Sequence, residues 1–107
     1  MAGYRIFIEE EFEHEFDKLP AAERERILKV REQIKENPFV GKPLGYAWFR
    51  EKHLNGKRLY WLVYENLNAA LIVALSDKKT QQLTINSIKI ALDYYKGKIK
   101  QKLSSTP

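Results

Sequence analysis

The chain has 107 residues, 44% apolar, 12% aromatic and 31% charged, with no cysteine. That is room for one domain built on one core, and the balance is that of a globular protein, not a disordered, fibrous or membrane-spanning one. Disulfides, thiolate metal sites and a cysteine nucleophile are excluded, which fits a reducing cytoplasm. The longest apolar run, Ala69 to Leu75, is too short to cross a bilayer. The first residues lead straight into a strand-like pattern without a signal-peptide core. The formal charge of +5 is unevenly spread: residues 1–41 hold 7 Lys/Arg against 10 Asp/Glu, and residues 42–107 hold 12 against 4. A second half this basic is the footprint of a polyanion binder, or else a lysine-rich solvated surface.

Tyr4 to Ile8 is rich in aromatic and β-branched residues and is predicted to be a strand, with Tyr4, Ile6 and Ile8 on one face and Phe7 on the other. From Glu9 the period changes. Phe12, Phe16 and Leu19 form a helical stripe, and the glutamates that open it suit the positive end of a helix dipole. Pro20 breaks this helix, and a second is predicted over residues 21–36, with Ile27, Val30 and Ile34 as its apolar stripe. Asn37-Pro38 stops it, and the pair reads as a helical hairpin.

Residues 39–47 contain Gly41, Pro43 and Gly45 and read as a loop. Trp48 to Leu54 and Lys57 to Tyr64 read as strands joined by Asn55-Gly56, the dipeptide that supplies the two positive-φ positions of a type I′ turn. After a second turn at Asn66 to Asn68, Ala69 to Leu75 reads as a strand covered on both faces. Residues 78–82 form a polar connector, and a last helix begins near Thr84 with Ile85, Ile88, Leu92 and Tyr95 as its buried stripe. Gly97 is read as its C-cap, leaving residues 97–107 as a basic tail that frays. The order β-α-α-β-β-β-α places a small, mostly antiparallel sheet against helices. The fold class is α+β, in a single domain over residues 1–107.

Three features stand together: the strand and helical hairpin closed by Glu36-Asn37-Pro38, the basic hairpin from Phe49 to Tyr64, and Asp77-Lys78-Lys79-Thr80-Gln81-Gln82 ahead of a helix. In this order and spacing they resemble the RelE/ParE superfamily of toxins from toxin–antitoxin pairs. The last feature is similar to the Lys-Lys-Thr-Gln stretch of the HigB-like branch. The resemblance implies a ribosome-dependent mRNA endoribonuclease that needs neither metal nor cofactor. In such toxins the ribose 2′-hydroxyl attacks the adjacent phosphate and a 5′-hydroxyl leaves. It also implies partners, namely a cognate antitoxin, the ribosome and mRNA. One departure stands out. Nuclease members carry Tyr-Arg-hydrophobic-hydrophobic-Tyr, whereas this chain has Tyr60-Trp61-Leu62-Val63-Tyr64. Either a neighbour such as Arg58 supplies the missing charge, or the chain is a ParE-like gyrase inhibitor or a non-cleaving toxin.

Cleaving RNA through its own 2′-hydroxyl needs a base, a cation for the phosphorane and an acid for the leaving oxygen. His53 is the natural proton carrier, since histidine titrates near neutrality. Strand alternation puts it on one face with Glu51 and Phe49. Glu51 is read as its orienter or as a base, or as a cross-strand partner of Lys57 or Arg58. Arg58 is the preferred phosphate clamp, because a guanidinium grips two oxygens. Arg50 and Lys52 fall on the opposite face and are candidate RNA contacts or edge charges. Lys57, Lys78 and Lys79 are candidate backbone contacts. Trp61 either stacks a base or belongs to the core. Two histidines far apart in sequence make a poor metal site.

Overall fold

The computed structural model describes residues 3–105; Met1 and Ala2, and Thr106 and Pro107 at the end of the predicted tail, lie outside the described residues. The elements are β1 (Arg5–Ile8), α1 (Glu10–Asp17), α2 (Ala21–Glu36), β2 (Lys42–Pro43), β3 (Phe49–Leu54), β4 (Lys57–Tyr64), a short 3₁₀ turn (Glu65–Leu67), β5 (Ala69–Asp77), α3 (Gln81–Ile90) and α4 (Leu92–Ser104). The five strands lie in the order β1-β5-β4-β3-β2, with β1 parallel to β5 and every other neighbour antiparallel.

The sheet is covered on both faces. On one, Phe12 of α1 and Ile27, Val30 and Ile34 of α2 pack on Ile6, Leu59, Trp61 and Ile72. On the other, Ile85 and Ile88 of α3 and Ile99 of α4 pack on Phe49, Tyr60, Leu62 and Leu71. The unbroken apolar run of β5 follows from this, because a strand buried on both sides has no polar face to alternate with. In β1, Tyr4, Ile6 and Ile8 meet the first layer and Phe7 the second, as the alternation predicts. Asn55 and Gly56 both have positive φ (43° and 89°), and they close β3 on β4 in the tight turn their sequence specifies.

Three expectations are corrected. The 39–47 loop contains a two-residue edge strand, β2, which pairs Lys42 with Glu51 and Pro43 with Arg50. Gly41 permits the approach: its φ is +79°, and a Cβ there would run into the backbone carbonyl of Glu51. The last helix is two helices. Ala91 turns between them, its N–H shared by the carbonyls of Ser87 (3.2 Å) and Ile88 (3.0 Å), the tightened hydrogen bonding that ends many helices. Gly97 is not a cap. It lies on the exposed side of α4, which continues to Ser104 because Leu92, Tyr95, Ile99 and Leu103 hold one stripe against the sheet.

At the entry to α3, Asp77 accepts from the backbone N–H and the hydroxyl of Thr80, both at 2.9 Å. The backbone donor and then the hydroxyl hold its carboxyl below the usual aspartate value.

Two measurements check these points. Ile99, with no exposed surface, should cost about 2–5 kcal/mol when cut to alanine, read as a lower urea midpoint; a frayed tail would leave the midpoint unchanged. Asp77→Asn should lower the melting temperature at pH 7. The carboxylate's stabilisation is complete above its unfolded pKa, near 3.8, and is lost as the pH falls through the depressed folded value. The two proteins' melting temperatures should therefore converge as the pH falls below about 4.

Candidate active site on the basic hairpin

The tight turn fixes the register of β3 on β4, and the register decides which side chains meet. His53 lies opposite Arg58, and Glu51 opposite Tyr60. Across the next ladder Arg58 lies opposite Ser76 of β5. Directly paired residues share a face, so His53, Arg58, Glu51, Tyr60 and Ser76 project together, on the α3 side of the sheet. The three residues named from sequence as the chemical core, His53, Arg58 and Glu51, are thus brought together by pairing alone.

Their environments differ. His53 is exposed at the rim, Arg58 is half-buried, and Glu51 and Tyr60 are buried. Gln81, in the first turn of α3, donates to the Glu51 carboxylate at 2.8 Å. The Tyr60 hydroxyl and the Ser76 hydroxyl lie 2.9 Å apart, in hydrogen-bond contact. Burial, aided by the Glu51 carboxylate, pushes the Tyr60 phenol up, against the Ser76 bond and the charge of Arg58. The phenol therefore keeps its proton. Arg58 Nη1 is buried and, among the described residues, has no hydrogen-bond partner. A buried cationic donor without an acceptor is costly, and an anionic oxygen placed against it would remove that cost. The cluster thus offers a directed cation, an imidazole at the rim, and a carboxylate and phenol behind them.

The other candidates are placed elsewhere. Arg50 is turned to the α2 side and only 7% exposed. Its guanidinium bonds the carbonyls of Phe39, Val40 (3.2 Å), Ala47 (3.2 Å) and Gly41 (3.0 Å), and stacks over the Phe39 ring. It is neither an edge charge nor an exposed contact, because its donors are used within the fold. Trp61 has no exposed surface; its Nε1–H donates to the Pro38 carbonyl at 2.9 Å. Of its two readings, core is the one observed, and no base can stack on it. Lys57 pairs with Glu23 of α2 at 2.8 Å, and Lys52, opposite Leu59, is half-buried on that same side. Neither reaches the His53 face. Lys78 and Lys79 are exposed after β5, in the connector that leads to Gln81.

Tyr60, Ser76 and Gln81 were not picked out from the sequence as site residues. Tyr60 is buried at 0% exposure. The only sequence signal for the other two is their position: Ser76 interrupts an apolar strand at its end, and Gln81 starts the following helix. A concavity of about 750 Å³ lies at the other end of β4, among Trp48, Tyr64, Glu65, Leu92, Asp93 and Lys96, and none of His53, Arg58 and Glu51 lines it. Among the described residues no group of three His, Asp or Glu is placed to hold a metal ion, and no helix is long and apolar enough to cross a membrane.

No protein-family model matches the sequence, and no curated protein does. Solved structures do match. A free double-arginine mutant of the Escherichia coli toxin RelE superposes with a TM-score of 0.69 at 19% identity, covering 81% of this chain and 96% of that one. The same mutant bound to a RelB antitoxin peptide gives 0.65 at 21% identity, over 81% and 95%. The RelE of the Pyrococcus horikoshii RelE–RelB complex gives 0.62 at 21%, over 73% and 97%. At such identities the likeness is one of fold, and it spans nearly the whole of each relative: the chain has the fold of the RelE toxins, the superfamily its hairpin resembles.

Proposed function

We propose that this chain is the toxin of a toxin–antitoxin pair and acts in the cytoplasm as a ribosome-dependent, metal-independent mRNA endoribonuclease. The observation that carries the reading is the pairing of His53 with Arg58, whose buried Nη1 has no acceptor among the described residues. Arg58 takes the charge of the pentavalent phosphate, the role that an arginine at position 61 has in the nuclease members the sequence resembles. Trp61 does not prevent this, since it lies on the opposite side of the sheet from His53. His53, the exposed member, exchanges the proton with the ribose hydroxyl or the leaving oxygen. Glu51, buried and held by Gln81, has little reach toward a substrate; it sets the field in which Arg58 and Tyr60 act. Lys78 and Lys79 hold the RNA backbone by charge. That the structural neighbours include RelE–RelB complexes supports a cognate antitoxin as the protein partner.

A second reading keeps the toxin but removes the cleavage. A tryptophan where nuclease members carry arginine favours a gyrase-binding inhibitor or a toxin that only binds its antitoxin.

Primer extension on a translated mRNA separates these readings. The expected result is cuts that require translation, reduced about 10²- to 10³-fold in Arg58→Ala and about 10²- to 10⁴-fold in His53→Ala, with Trp61→Phe retaining activity. Folded wild-type protein that gives no cuts at any dose would sink the nuclease reading, and a supercoiling assay would then test gyrase inhibition.

A further inference from the structure

The hairpin carries the chain's positive chemistry, while an apolar face of opposite character lies at the far side of α3. Leu83, Ser87 and Ile90 follow one another along α3 at i, i+4 and i+7 and so share one stripe, and Tyr94 lies just past the turn at Ala91, in the first turn of α4. Leu83 is 68% exposed, Ile90 87% and Tyr94 46%. A single exposed leucine needs no explanation. Two large exposed apolar side chains on one helix stripe, with a third just beyond its end, are a different matter, because an exposed apolar patch marks an interaction surface. Ile90 gives its helix no advantage in propensity over a polar residue such as serine.

Beside the stripe runs a groove of about 380 Å³ between α1 and α3, floored by Val73 and Ala74 and lined by Leu83 and Ser87. Its other wall carries Glu9, Glu11 and Glu15. Tyr94 joins the stripe to this wall, its hydroxyl donating to Glu9 at 3.4 Å. Lys98 pairs with Glu10 at 3.5 Å and lies over the Tyr94 ring, 5.5 Å from its centroid, but among the described residues neither Glu11 nor Glu15 has a cation within 4 Å. The face is therefore apolar along its axis and negative along one flank, in a protein whose net charge is +5.

We propose that this face docks a basic amphipathic helix of a partner protein, with apolar anchors at i, i+3, i+4 and i+7 laid along Leu83, Ile90 and Tyr94 and lysines or arginines set against Glu11 and Glu15. Charge complementarity selects the occupant: an RNA strand or an acidic segment would meet like charge here, whereas a helix-in-groove ligand with a cationic flank meets both features at once. The proposal does not rest on the nuclease reading. Ile90 lies outside the His53–Arg58 cluster, so failure of cleavage and failure of docking are separate results.

The test is an NMR titration of the full chain with two designed helical peptides that share a leucine stripe, one flanked by lysines and one by glutamates, and with a short single-stranded RNA. The expected result is that the lysine peptide alone shifts the amides of Glu11, Glu15, Leu83, Ser87, Ile90 and Tyr94. Ile90→Lys, a change at an exposed position, should weaken it at least about tenfold, and the double variant E11K/E15K should transfer the preference to the glutamate peptide. Equal binding of both peptides, shifts centred elsewhere, or the same amides moving with RNA would overturn the proposal. So would self-association abolished by Ile90→Lys, which would assign the face to a second copy of the chain.

Discussion

The hairpin's geometry depends on the burial of one guanidinium. Arg50 sits almost out of water, and a charge in that position is tolerated only where fixed dipoles replace its hydration. The carbonyls of Phe39, Val40, Gly41 and Ala47 do so from both ends of a single loop. The arrangement ties the otherwise irregular stretch between α2 and β3 to the sheet. Trp61, the residue paired with Arg50, bonds Pro38 at the start of the same loop. Once Arg50 and Trp61 point toward α2, the pleat leaves no choice for their neighbours: Glu51, His53, Arg58 and Tyr60 must point the other way.

That constraint turns a run of mixed charges into a sorted one. Read linearly, Arg50-Glu51-Lys52-His53 and Lys57-Arg58 look like a patch in which every cation is equivalent. The fold divides them. Arg50 is consumed by carbonyls, Lys57 by Glu23, and Lys52 faces the helical hairpin. Among the described residues Arg58 is the cation paired with the imidazole, and one of its nitrogens is left unanswered. A cation that is already partly desolvated needs little reorganisation when negative charge develops next to it. A solvated lysine at the same spot would not share that advantage.

Local chemistry was legible in the sequence and tertiary compensation was not. Asn55-Gly56 determines its turn through the φ angles it alone tolerates, and both ends of β4 followed from it. The stripe of α2 was equally plain, as Ile27, Val30 and Ile34 and the stop at Asn37-Pro38 all act within a few residues. The errors arise where a distant residue decides. Gly97 resembles a C-cap until Ile99 and Leu103 are counted with Leu92 and Tyr95; the spacing was present, but it was outweighed by one glycine. Arg50 could not be recognised as buried, because its acceptors are backbone carbonyls 3 to 11 residues away, and these leave no trace in side-chain identity. The same holds for the Glu51–Gln81 bond, which spans 30 residues. Within the site, alternation alone grouped His53 with Glu51, and pairing added Arg58; which cations would be withdrawn required the packing.

The charge asymmetry along the sequence becomes an asymmetry between surfaces. The acidic first half supplies α1, whose carboxylates border α3, while the basic second half supplies Arg58, Lys78 and Lys79 around the hairpin. A uniformly basic protein would attract a polyanion over its whole surface and gain little orientation from the encounter. With the negative charge gathered on the α1 flank, the field acquires a direction, and any polyanion would be steered toward the hairpin rather than the α1–α3 groove. On the two proposals made above, the faces would serve different partners without competing for the same charges. What stands between them is α3, whose Gln81 bonds Glu51 of the hairpin and whose Leu83 and Ser87 line the groove.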